Sequence, residues 1–177
     1  MSTSSTVSAQ PSLPLSTTQT ADAPHATVPT LTQALATALA RHAHHAFGLM
    51  GNGNAHLIDA LGAHGIPLTE VRHEAATIAS ADAFTRVSGK LAIATTTYGA
   101  GFTNALTALA EAAQARTPLL FVVGDAPTSG PRPWDVDQEM LGAAIGVRSY
   151  LVSLENPGDV VDRAAAAALR GRRPVIL

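Results

Sequence analysis

Leu91-Ala92-Ile93-Ala94-Thr95-Thr96-Thr97-Tyr98-Gly99-Ala100-Gly101-Phe102-Thr103-Asn104-Ala105 is the stretch whose reading decides the fold. Leu91 to Thr96 is a short β-rich run, Thr97 to Gly101 breaks it, and a helix follows from about Thr103 to Ala115. The same order recurs on both sides. Downstream, Leu119 to Val123 is a continuous apolar run closed by Gly124, as expected of a strand covered on both faces. Upstream, His45 to Met50 reads as a strand ending in the turn Gly51-Asn52-Gly53, followed by a helix from about Asn54 to Ala63 that stops at His64-Gly65. Ile66 to Val71 reads as a strand, and Glu74 to Ser88 as a helix with Gly89 at its C-terminal end.

The outer elements follow the same logic. Thr30 and Gln33 make a capping box ahead of Leu31, Leu35, Ala38 and Leu39 at helical spacing. Beyond Gly124 come a Pro- and Gly-rich loop from Asp125 to Pro133, a short helix near Gln138 to Ala143, and a strand at Tyr150 to Val152. A helix from Pro157 to Arg170 and a last strand from Pro174 to Leu177 complete the pattern. Strands alternating with helices need crossover connections, which are right-handed. The expected fold is therefore α/β: an open, doubly wound, mostly parallel sheet of about five or six strands with helices on both faces.

Composition sets the limits. The chain has 177 residues, room for one core, with 46% hydrophobic and 14% charged residues. That balance excludes a wholly disordered chain. The net charge is −2 and the basic residues are scattered until Arg170, Arg172 and Arg173, so no electrostatic footprint for nucleic acid is present. The absence of cysteine excludes disulfides, thiol nucleophiles and zinc-thiolate sites, and fits a cytoplasmic protein. Residues 1–27 are rich in Ser, Thr and Pro, contain no Lys or Arg, and read as a disordered tail ahead of a domain at 28–177. They resemble neither a secretory signal nor a transit peptide. No run approaches the ~18 apolar residues of a membrane span. The closing run Arg173-Pro174-Val175-Ile176-Leu177 reads as a buried strand cut at its own end, so a piece of a longer protein is expected.

In doubly wound sheets ligands bind beyond the C-terminal ends of the strands. The loops that fall there are Gly51 to Asn54, Arg72 to Glu74, Thr97 to Asn104, and Gly124 onward. Both Gly-rich turns narrowly miss a dinucleotide fingerprint: His56 and Asn104 stand where its third glycine belongs. From pattern alone they are tight strand-to-helix turns. Glu74, taken alone, is a carboxylate favoured by a helix N-terminus. Its helix is unusually apolar, however, through Ala75, Ala76, Ile78, Ala79, Ala81, Ala83 and Phe84. Burial beside that surface would raise the carboxyl pKa, as an acid–base group needs. His42, His44 and His45 lack the i, i+4 spacing of a helical metal site, and no metal site is expected. His73 stays open as the neighbour of Glu74. There is no Gly-x-Ser-x-Gly elbow and no Walker sequence.

Taken in order, these segments are familiar. Phe47-Gly48-Leu49-Met50-Gly51-Asn52-Gly53-Asn54, Leu57-Ile58-Asp59-Ala60-Leu61 and Arg72-His73-Glu74-Ala75-Ala76 resemble the N-terminal pyrimidine-binding domain of thiamine-diphosphate-dependent enzymes. The run from Thr96 to Ala105 and Thr117-Pro118-Leu119-Leu120-Phe121-Val122-Val123-Gly124 continue the resemblance, and Asp137-Gln138-Glu139 is similar to the Gln-containing loop of the acetolactate synthase branch. It extends over about Thr30 to Leu177.

The resemblance implies that Glu74 hydrogen-bonds the pyrimidine nitrogen of thiamine diphosphate and shares a proton with it. A low-dielectric site would help keep that proton shared. It implies that Gln138 reaches the substrate side, and that Met50, Gly51, Asn52, Thr97, Gly99, Ala100, Gly101 and Asn104 line the cofactor. The implied reactions make or break carbon–carbon bonds of 2-oxo acids, as in transferases, lyases and decarboxylases. Departures fall at Ala100 and Met50, where proline is common, at Asp137 in place of an aromatic, and at Val147-Arg148-Ser149. They leave the substrate open. The family's Mg²⁺ is held by a Gly-Asp-Gly…Asn segment in a second domain, and no such segment occurs here. Half of the site must then come from a missing C-terminal part, a homo-oligomer or a partner subunit, and the chain alone would be inactive. FAD on a missing middle domain is left open. The rival expectations are a nucleotide-binding module and a non-catalytic dimerisation module.

Overall fold

Thr30 opens the first helix as its spacing predicts: Thr30 Oγ1 accepts the Gln33 N–H at 3.3 Å and Gln33 Oε1 accepts the Thr30 N–H at 2.9 Å. In the computed structural model residues 28–126 and 129–177 are described, so the expected tail at 1–27 lies outside the described residues. The elements are α1 (Leu31–Leu39), β1 (Ala43–Gly48), α2 (Ala55–Ala63), β2 (Leu68–Glu70), α3 (Glu74–Ser88) and β3 (Leu91–Thr96). They continue as α4 (Ala100–Gln114), β4 (Leu120–Val123), α5 (Gln138–Ala144), β5 (Arg148–Ser149), α6 (Pro157–Gly171) and β6 (Val175–Ile176).

The strands form one 6-stranded sheet in the order β2-β1-β3-β4-β6-β5, and every pairing is parallel. Every residue of β3 is buried. The strand alternation divides the core in two. Leu91 and Ile93 pack with α1, α2 and α6 through Leu39, Leu61 and Val161. Ala92 and Ala94 face the other way, toward Ile78 of α3 and Phe102 of α4. Small alanines on that face leave room for aromatic packing, and Phe102 stacks on Phe121 of β4 with centroids 5.7 Å apart and planes 7° from parallel.

Several boundaries differ from the sequence expectation, β2 among them, which is Leu68–Glu70 rather than Ile66 to Val71. β1 runs from Ala43 to Gly48, so Leu49 and Met50 belong to the turn, although Leu49 N–H still reaches Thr95 O at 3.3 Å. α4 begins at Ala100, because Gly99 takes φ +67, ψ −126 and serves as its N-cap. The fifth strand is Arg148–Ser149 rather than Tyr150–Val152. Arg148 and Ser149 pair with Val175 and Ile176, and the Tyr150 N–H donates to Ile176 O at 2.8 Å, while Tyr150 and Val152 also pack side chains against the core. Apolar content located packing there, while backbone pairing defined the strand.

Strand order sets the location of the crevice. The chain passes from β1 to the β2 edge and returns to β3 on the opposite side of β1, so the winding direction switches between β1 and β3. β4 and β6 are neighbours although β5 lies between them along the chain. The loops that leave the C-terminal ends of β1 and β3 diverge and leave room for a ligand.

Candidate functional site

Asn54 shapes the turn after β1. Its Oδ1 accepts the Gly51 N–H at 2.8 Å, and its Nδ2 donates to Leu49 O and to Thr95 Oγ1, both at 3.2 Å. The amide is 1% exposed, so a buried side chain ties the β1 turn to β3. Across the switch point, the Gly53 N–H donates to Thr97 Oγ1 at 3.0 Å. Glycine is needed on this line because the turns touch. A Cβ on Gly51 would come 2.8 Å from Thr97 Cβ, and one on Gly53 would come 2.7 Å from Tyr98 Cδ1.

Glu74 is the first residue of α3 and is half-buried. Asn104 Nδ2, from the second turn of α4, donates to Glu74 Oε2 at 3.1 Å. Among the described residues Oε1 has no hydrogen-bond partner, and a Cβ added to Gly101 would lie 3.7 Å from it and 2.8 Å from Thr97 Cγ2. Glu74, Thr97, Gly101 and Asn104 are therefore neighbours, and Thr97 joins them to Gly51 and Gly53.

Gln138 begins α5 and donates from Nε2 to Gly124 O at 3.0 Å. Gly124 in turn packs on Gly53, where a Cβ would fall 2.3 Å from the Gly53 carbonyl oxygen. Gln138 thus stands at the far end of one line of contacts running from Glu74. Gly99 is pressed beneath the Trp134 carbonyl of the loop before α5. Met50, Asn52 and Ala100 sit exposed on the same turns, without a hydrogen bond to Glu74.

A cavity of about 690 Å³ opens at the C-terminal ends of β4 and β6, lined by Gly53, Gly124 and Gln138 together with apolar residues such as Leu35, Leu57 and Leu177. Glu74 and Asn104 are not on its walls. Among the described residues no three His, Cys, Asp or Glu side chains are placed to hold a metal ion. His42 donates to Asp162 Oδ1 at 2.6 Å beside Arg41, and His45 meets Thr69 Oγ1 at 2.8 Å while stacking on Phe84. Among the described residues no helix is long and apolar enough to cross a membrane.

The sequence placed Gly53, Asn54 and Gly124 in loops at the strand ends but gave no sign of the contacts that join them. The signal for Asn54 was weak: a polar residue closing a Gly-Asn-Gly turn, indistinguishable in sequence from a helix start.

An open parallel sheet with a carboxylate, an amide and close-packed glycines at its switch point defines a ligand-binding domain of the doubly wound α/β class. The chain belongs to the thiamine pyrophosphate enzyme family: residues 29–145 match its N-terminal TPP binding domain. It is 39% identical over 82 residues to 2-hydroxyacyl-CoA lyase 2 of Danio rerio, covering 46% of this chain and 13% of that protein. It is 34% identical over 133 residues to 2-hydroxyacyl-CoA lyase 2 of Homo sapiens, covering 72% and 21%. Sulfoacetaldehyde acetyltransferase of Castellaniella defragrans is 38% identical over 84 residues, covering 48% and 14%. The matched region spans about a fifth or less of the length of these relatives.

Proposed function

We propose that this chain supplies the pyrimidine-holding half of a thiamine diphosphate site, with Glu74 as the residue that exchanges a proton with the pyrimidine ring. One observation carries the reading: Asn104 engages Glu74 Oε2 and leaves Oε1 without a partner among the described residues, at the crevice between the β1 and β3 turns. A ring nitrogen needs such an oxygen, able to accept or share one proton. Glycines at 51, 53 and 101 let the turns around Glu74 close on one another, since a methyl group at any of them would meet Thr97 or Tyr98. The residues present therefore fit the group.

Thiamine diphosphate, when bound, supplies the carbanion chemistry. The chain's contribution is to hold and orient. Asn104 fixes one carboxylate oxygen of Glu74, Thr97 anchors the Gly53 turn, and Gly51, Gly99 and Gly101 would line the cofactor in this reading. Met50, Asn52 and Ala100 complete the rim in this reading. Gln138, held by Gly124 O, serves the substrate side, where its amide can bond a carboxylate or carbonyl oxygen.

The reaction in this reading makes or breaks a carbon–carbon bond next to a carbonyl, with a 2-oxo acid or related acyl compound as substrate. Relatives named as a lyase and as an acetyltransferase support that class. Mg²⁺ and the diphosphate would be held by residues outside this chain, contributed by a longer C-terminal part, a second copy or a partner subunit. Nothing in these residues is assigned to FAD. A cytoplasmic location belongs to the same reading, supported by the lack of cysteine.

Calorimetric titration of the complete protein that carries this chain tests the proposal. Thiamine diphosphate with Mg²⁺ is expected to bind saturably, while NAD and ATP give no saturable signal. Saturable NAD or ATP binding without a response to thiamine diphosphate would overturn the reading in favour of a nucleotide-binding module. Silence toward all three would favour a dimerisation module.

A further inference from the structure

His73 lies outside the set of residues just assigned, yet it caps the helix that Glu74 begins. It is the N-cap of α3, with extended backbone at φ −153, ψ 143, and its Nδ1 accepts the Ala75 N–H at 3.1 Å. Serine, threonine, aspartate and asparagine are the usual residues for that task. The bond dictates the state of the ring. A backbone N–H can only donate, so Nδ1 carries no proton, and the imidazole is neutral with its hydrogen on Nε2. A cation at that place would also oppose the positive end of the helix.

The surrounding bonds show what the cap controls. Ala76 N–H donates to His73 O at 2.9 Å, and Thr77 Oγ1 donates to Glu74 O at 2.7 Å. The Glu74 backbone is therefore held from both sides within the first turn. Among the described residues its side chain has a single hydrogen bond, from Asn104. A flexible side chain with one anchor points where its backbone directs it, and a frayed first turn would release it. An aspartate cap would hold the turn equally well, but would set a second negative charge beside the Glu74 carboxylate. Histidine gives the same acceptor without charge.

We propose that His73 is a positioning residue of the site: a neutral cap that fixes the first turn of α3 so that Glu74 Oε1 is presented toward the crevice. The inference rests on the reading of Glu74 given above. It acts through Glu74 and requires no contact between His73 and the cofactor.

A double-mutant cycle in the complete protein tests it, with thiamine diphosphate affinity as the readout. His73→Ala is expected to weaken affinity about five- to tenfold, the scale of a lost cap. His73→Asn restores a neutral acceptor and should stay within about twofold of the parent. In a Glu74→Ala background, His73→Ala should cause no further loss, because the residue it positions is gone. Equal weakening with and without Glu74 would mark His73 as merely structural and overturn the proposal. So would unchanged affinity in His73→Ala, or an asparagine variant as poor as the alanine one. The ¹⁵N spectrum of the His73 ring gives a second test that needs no cofactor. It should show a protonated Nε2 and an acceptor Nδ1, and a ring protonated at Nδ1 would overturn the cap. If the parent protein fails to bind thiamine diphosphate, the functional reading fails with the positioning role, while the spectrum still reports separately on the cap.

Discussion

Asn54 exerts its influence by what it leaves paired. Substituting leucine, similar in size, would leave the buried Thr95 hydroxyl and the part-buried Gly51 N–H and Leu49 carbonyl without this amide. Each unpaired buried group costs about 1–3 kcal/mol. Asn54→Leu is expected to lower the unfolding free energy by about 3 kcal/mol in urea denaturation; a loss below about 1 kcal/mol would mean that the turn holds without this network. None of these partners was legible in the sequence, since a buried amide and a helix-starting amide have the same letter. Glu74 was legible, because its place between a strand and a helix is a matter of order along the chain. Its bond to Asn104 spans 30 residues and depends on two helix starts meeting in space, which spacing does not encode. Gly124 read as a strand stop and the start of a ligand-side loop. Its contact with Gly53 became visible once the sheet order put their loops side by side.

At the scale of elements, the sequence foretold parallel strands better than their ends. Leu91–Thr96 and Glu74–Ser88 appear with the expected bounds, because an apolar run with a turn behind it, and a helix closed by a left-handed Gly89, are local signals. β5 was misplaced because its two paired residues, Arg148 and Ser149, are polar, and only edge pairing with β6 makes them a strand. Packing between layers gives a prediction of its own. Phe102 anchors α4 on the sheet, fully buried against Phe121. Phe102→Ala should cost about 3–5 kcal/mol of stability. Because α4 also carries Gly101 and Asn104, its loosening should weaken thiamine diphosphate binding as well. A variant that unfolds more readily yet binds as tightly would show that α4 is held at the site by something other than this ring.

For the whole molecule, α6 is tied to the start of the sheet by one carboxylate. Asp162 accepts from His42 at 2.6 Å and from Arg41 at 2.8 Å, and these bonds, His42 first, hold its carboxyl below the ordinary value of 3.8. A carboxyl with a depressed folded-state pKa stabilises the fold fully above its unfolded value and loses that contribution as pH falls below 3.8 through the folded one. Acid unfolding should therefore begin at higher pH in Asp162→Asn, and its stability should vary less with pH below about 4. Identical acid profiles for parent and variant would show that the ion pair contributes nothing, as exposed pairs sometimes do.

The central claim concerns Glu74. In the complete protein, Glu74→Gln preserves size and can still accept from Asn104, but it cannot exchange a proton with a ring nitrogen. Turnover should fall by about a hundredfold or more, within the range of a lost acid–base group, while the thermal midpoint stays at that of the parent. Parent-like turnover in a folded Glu74→Gln protein would contradict the account.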